Sequence, residues 1–228
     1  MIITNKKAYL VKNETRNNTN TKKYNLLNDN FIFEALFKFN PIEESTQNEF
    51  CVVGRTGYNM GIFTQSTNAI KWCWWEVDSD GNHTYHDIFV NGPDACGINN
   101  QEKNKIKVIK SNNKFTLYFN DEFHSEKEII NKLYDYSEQT IFIGVANPYS
   151  NYENMYWFNG EIYEVKIYHT DIETNDNLYL WYDFENNSKF KTFDKSGNGN
   201  HGQLYETKEF IYQKNLEFNE FARPAKII

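Results

Sequence analysis

Between residues 70 and 83 the chain reads IKWCWWEVDSDGNH, which places three of its five tryptophans in four positions and two carboxylates, Glu76 and Asp78, directly after them. Two kinds of chemistry use such residues. Carboxylates at alternate positions of a strand project from one face, and a pair about 5 Å apart can serve as nucleophile and general acid/base on a glycosidic bond. Indoles at alternate positions, about 7 Å apart along a strand, can instead stack on a sugar ring or on another protein. The first use requires the strand to continue through a third carboxylate, yet Asp80 lies within DSDGN, whose residue types reverse a chain. Glu76 is therefore expected at a strand end, with glycoside hydrolysis by Glu76 kept as an alternative. No other nucleophile-base pair, P-loop or dinucleotide fingerprint is visible.

Period two sends Ile70, Trp72, Trp74 and Glu76 to one face and Lys71, Cys73, Trp75 and Val77 to the other. The second set is more uniformly apolar. It predicts Trp75 inward and Trp72 and Trp74 on an outer or concave surface, where they would bind a sugar or a partner; burial of both faces is the alternative. A second aromatic cluster, Tyr149, Tyr152, Tyr156 and Trp157, falls in NPYSNYENMYW. Tyrosine, serine and asparagine together supply rigid contact area and adaptable hydrogen bonding, so this loop is a recognition candidate, against simple loop packing.

In DKSGNGNHG, starting at Asp194, glycines permit positive φ and short polar side chains satisfy their own backbone, as a structural turn requires. Asp194 and Asn198 could also offer the hard oxygen ligands that calcium takes, although one carboxylate is thin for a cation with six to eight oxygens. No other cofactor is expected. The five histidines, His83, His86, His124, His169 and His201, lack metal-ligand spacing.

The elements that must position these residues read as strands. Aromatic residues make up 17% of the 228 residues, and aromatic side chains suit a pleated, half-buried surface. FIFEALFKF at 31 to 39 alternates strictly, and similar runs occur at 50 to 53, 60 to 64, 69 to 77, 85 to 90, 105 to 109, 115 to 119, 140 to 146, 161 to 168 and 178 to 184. Turn residues separate them, so the class is all-β, a sandwich or barrel. One helical turn is expected in SEKEIINKL, with Ser125 capping, Glu128 at the third position, and Ile129, Ile130 and Leu133 on one face. Charge and targeting signals narrow the partners. The net charge of −7 has no Lys/Arg cluster beside it, which argues against nucleic acid, and no segment is long and apolar enough to insert in a membrane. The first residues lack the apolar run of a secretory signal. Cys51, Cys73 and Cys96 form an odd set without metal spacing, so no disulfide framework is expected.

The run from 141 to 172, with Phe158, Gly160, Ile162, Val165, Ile167 and Tyr168 at the positions of an F-x-G-x-I-x-x-V-x-I-Y strand, resembles the closing strands of laminin-G-like, concanavalin A-like domains. FIFEALFKF, GRTGYNMGIF and the hairpin KIKVIKSNNKFTLYFND fit the same pattern, with Leu36 where tryptophan is usual and Asn120-Asp121 where Asn-Gly is commoner. The resemblance implies one concanavalin A-like β-sandwich jelly roll over 1 to 228, with main strands at 30 to 172. Residues 178 to 204 look like the family's opening strand and glycine turn, displaced to the end. Either the sandwich is circularly permuted, with 176 to 220 completing it, 221 to 228 as a tail and 1 to 12 as a strand near the junction, or these strands pair with a neighbouring chain. The functional expectation is a non-catalytic virion structural or decoration protein of a bacteriophage, made in the host cytoplasm, that binds surface glycans or other virion proteins. Assembly into a homo-oligomer is left open. A stand-alone or secreted carbohydrate-binding lectin is the alternative.

Overall fold

The computed structural model describes residues 7–11, 30–40, 49–55, 60–65, 69–90, 102–134, 141–146, 156–184 and 191–206. Among the described residues seventeen strands follow in order: β1 Lys7–Val11, β2 Phe31–Phe39, β3 Glu49–Arg55, β4 Met60–Gln65, β5 Ile70–Val77, β6 His83–Val90, β7 Asn104–Ser111, β8 Lys114–Phe119 and β9 Glu122–Glu128. They continue with β10 Lys132–Leu133, β11 Ile141–Ile143, β12 Val145–Ala146, β13 Tyr156–Trp157, β14 Gly160–Tyr168, a 3-10 turn at Asn175–Asn177, β15 Leu178–Asp183, β16 Lys191–Thr192 and β17 Gly202–Glu206. Among the described residues no helix is long and apolar enough to cross a membrane.

Two antiparallel sheets form the sandwich. One runs β15-β14-β2-β7-β8-β9; the other runs β10-β5-β4-β3-β11-β1-β17-β16, with β6 flanking β5 on its far side. The strands after Tyr168 pair within this chain: β15 adds to β14, and β17 lies beside β1.

Between the sheets lies a core rich in aromatic rings. Phe31, Phe33, Phe37 and Phe39 from β2, Phe115 and Leu117 from β8, Ile106 and Val108 from β7 and Ile162, Val165 and Ile167 from β14 meet Ile62, Ile70, Trp72 and Trp74 from the opposite sheet. The alternation of FIFEALFKF thus puts its phenylalanines inward, where large rings supply most of the apolar burial. Gly160 allows β14 to start close against β2: at φ 151° a Cβ there would lie 2.1 Å from the Lys38 carbonyl oxygen.

The helical turn expected at SEKEIINKL is absent. Asn120 and Asp121, both at positive φ (49° and 67°), make a two-residue hairpin turn whose twist suits the flanking strands, and β9 continues from it to Glu128 with Ser125 opposite Leu117. Pairing to β8 engages six residues of β9, which a single isolated helical turn cannot match.

Candidate functional site

The orientation of β5 is the reverse of the sequence expectation. Trp72 and Trp74 are fully buried. Trp72 packs on Phe31, Phe33 and Phe115 at ring separations of 6.3, 5.6 and 5.4 Å, and Trp74 lies 4.7 Å from Phe115. The face that ends in Glu76 is the core face because its carboxylate also finds buried partners there, so the rule that a charge marks the outer face fails.

Glu76 is itself wholly buried. Its Oε1 accepts the Trp74 indole N–H at 2.9 Å, and its Oε2 accepts the backbone N–H groups of Ile130 and Asn131 at 3.1 and 2.7 Å. His86 stacks on Trp74 with its Nε2 3.6 Å from Oε1. Three donors converging on a buried carboxyl group satisfy its oxygens and fix the connection between β9 and β10. The group holds a turn and offers no oxygen to a sugar. Asp78 sits at the start of the DSDGN turn, where its Oδ1 accepts the Asp80 and Asn82 N–H groups at 2.9 and 2.8 Å. Those bonds hold its carboxyl below the usual range, the Asn82 side-chain and backbone donors contributing most.

The outer face of β5 carries the accessible aromatics. The turn after Val77 sets the register of β6 so that Trp75 faces Tyr85, Cys73 faces Asp87 and Lys71 faces Phe89. Trp75 and Tyr85, both half-buried, meet edge to face at 5.3 Å, and His83 packs against Tyr134 at 4.0 Å. At the inner end of this face the Lys71 ammonium, 2% exposed, donates to the Tyr85 hydroxyl at 2.7 Å and lies over the Tyr85 and Phe89 rings. Cys51, Phe63 and Cys73 close the sheet beside it; neither cysteine is in a disulfide, and burial, with Cys73 adjacent, pushes the Cys51 thiol well above its ordinary range. The result is a half-open aromatic surface with hydroxyl, imidazole and carboxylate groups along it, chemistry suited to stacking and hydrogen bonding on a polar ring. Sequence reasoning missed Tyr85, His83, Tyr134 and Lys71. The signal was available in part: once DSDGN is read as a hairpin loop, counting outward places Tyr85 opposite Trp75.

Of the second predicted cluster, Tyr156 and Trp157 form β13, paired to Ala146 and Val145 of β12. Tyr149 and Tyr152 fall in the connection between those strands, outside the described residues.

Asp194 and Asn198 do come together, as parts of a turn. Asp194 Oδ1 accepts the N–H groups of Trp181 and Ser196 at 3.0 and 2.9 Å, and Oδ2 accepts Ser196 Oγ and the Asn200 N–H at 2.8 and 3.0 Å. Asn198 directs its amide nitrogen to the carbonyls of Leu178 and Tyr179. Gly197 and Gly199 take positive φ, 87° and 75°. Four donors therefore occupy the one carboxylate that a calcium ion would use. Among the described residues no group of three or more His, Cys, Asp or Glu side chains is placed to hold a metal.

No family model matches the sequence, and no curated protein matches it. Among solved structures the chain is similar to a protein of Bacteroides ovatus to which carbohydrate binding has been attributed, with a TM-score of 0.56 and 13% identity over 89% of this chain. The match covers 58% of that protein's length. It is also similar to the CBM40 domain of the Ruminococcus gnavus IT-sialidase (TM-score 0.54, 11% identity, 78% of this chain and 93% of that one), which has also been solved bound to α2,3-sialyllactose. At such identities the likeness establishes the fold: a β-sandwich of the architecture found in carbohydrate-binding domains.

Proposed function

We propose that this chain is a non-catalytic module that binds surface glycans through the outer face of β5 and β6, within a virion structural or decoration protein of a bacteriophage. The observation that carries the reading is the half-exposed Trp75–Tyr85 pair, extended by His83 and Tyr134, on a sheet face otherwise closed by packing. Aromatic faces stack on the C–H faces of sugars, while Asp87 and the ring substituents supply orienting hydrogen bonds. The buried, triply bonded Glu76 supports the absence of hydrolysis. The loop carrying Tyr149, Tyr152, Tyr156 and Trp157 is proposed as a second contact region. The likeness to a domain solved with sialyllactose supports including sialylated glycans among the ligands tried. The laminin-G-like sequence pattern supports the virion setting; a stand-alone lectin would use the same face and would not co-sediment with virus particles.

The test is a glycan array probed with the purified chain and its Trp75→Ala and Tyr152→Ala variants, with calcium and with chelator. Specific binding that Trp75→Ala abolishes in a folded protein is expected. Binding lost in chelator would support a calcium role near Asp194. A blank array from folded protein would overturn glycan binding and leave a protein partner as the occupant of this face.

A further inference from the structure

Strand β15 is the edge of its sheet, and in an antiparallel ladder alternate residues aim both backbone groups away from the neighbour. Here several backbone groups of β15 have partners in the turn at 194–200. The Trp181 N–H donates to Asp194 Oδ1 at 3.0 Å, and the Trp181 carbonyl accepts the Lys195 N–H at 2.8 Å. The Tyr179 carbonyl accepts from Ser196 Oγ, Asn198 Nδ2 and Asn200 Nδ2 at 3.1, 3.1 and 2.8 Å, and the Leu178 carbonyl accepts from Asn198 Nδ2 at 2.7 Å. The Tyr182 hydroxyl ties the turn down by donating to the Asn200 carbonyl. Residues 194–200 thus occupy the place of a seventh strand, using side chains where a strand would use its backbone.

We propose that this turn is a strand surrogate that closes the β15 edge, and that opening it lets the sheet continue into a second copy of this chain, β15 against β15. An exposed row of backbone donors and acceptors is a template for pairing. The row is self-complementary about Trp181, whose N–H and C=O both point outward, so two copies related by a two-fold axis exchange the same two bonds at that residue. One edge strand of the other sheet, β6, is met by simpler means: Lys127 and His124 from β9 reach the Asp87 and Phe89 carbonyls at 3.2 and 2.9 Å. The β15 edge is instead met by a turn of its own chain, and it is the opening of that turn that pairing requires.

The experiment is sedimentation velocity of the full chain and of Asp194→Ala/Asn198→Ala over a concentration series, with thermal unfolding recorded alongside. The double variant removes the carboxylate that accepts the Trp181 N–H and organises the turn, together with the Asn198 amide donor to Leu178 and Tyr179, so the residue about which two copies would pair is released. Its dimer should form at concentrations at least ten-fold below those at which the parent self-associates. Adding Trp181→Pro, which removes the outward N–H without taking a bond from the β14 ladder, should reverse this. A cooperatively folding double variant with the parent's mass at every concentration overturns the proposal, as does a dimer that survives the proline. Should the double variant lose its cooperative transition, Asp194→Ala alone is run in the same assay with the same two outcomes.

Discussion

The two faces of β5 carry tryptophans three positions apart or less, yet they perform different work. Inward, Trp72 and Trp74 are wholly enclosed by phenylalanines and by the Glu76 clasp. Outward, Trp75 keeps part of its ring in solvent beside Tyr85. One side of the strand therefore holds the sandwich together and the other keeps an aromatic ring partly in solvent. The difference teaches that aromatic density in a sequence does not identify a binding surface. Accessibility does, and accessibility is decided by what the opposite sheet and the loops bring.

The sharpest way to break this contrast is to truncate one ring from each side. Trp72→Ala should destabilise by about 3–5 kcal/mol, through lost transfer energy and an unfilled cavity. Trp75→Ala should cost about 1 kcal/mol and leave a folded protein. Equilibrium denaturation of both measures the gap, and equal losses would remove the distinction. Next in size is Glu76→Ala. It strands the Trp74 indole N–H and two backbone N–H groups, so about 3 kcal/mol is expected, mostly as earlier melting.

A subtler test uses alkali and the outer face of the β15 sheet. Burial first, then the carboxylates of Glu34, Glu173 and Glu164, push the Tyr168 phenol from its ordinary 10.0 up to about 12. The folded state holds that proton more tightly than the unfolded chain. Its contribution is complete below pH 10 and is lost as pH rises through about 12. Tyr168→Phe should therefore match the parent's melting temperature near neutrality and show a shallower decline between those values. Glu34 follows the same sign at lower pH. Burial raises its carboxyl despite Lys105 and Lys166 at 3.4 and 3.9 Å, so this group favours the fold most below its ordinary 4.5 and progressively less as it ionises.

Much of the fold was legible because strand alternation is a local signal. FIFEALFKF gives β2 to the residue, and the loop signals at Asn120-Asp121 and DSDGN fall where the chain reverses. Which face of a strand is inner is not local. Glu76 looked like a mark of solvent, and nothing near it in sequence announces that Ile130 and Asn131, more than fifty residues on, will meet it with N–H groups. SEKEIINKL misled for a related reason: its helical spacing is real, but the β8 edge outcompetes it. The glycine turn was read correctly as a turn, while its target, the edge of β15, could be found only once the sheet order was known.

The pairing of β1 with β17 has a mechanical consequence. Lys7 lies opposite Glu206, so the chain enters and leaves the described sandwich at one point, on neighbouring antiparallel strands. Tension applied through these two positions would load their hydrogen bonds one after another, as a zip opens, and would not shear them together. Under pull, this seam gives way first and at low force, while the phenylalanine-filled interior stays shut.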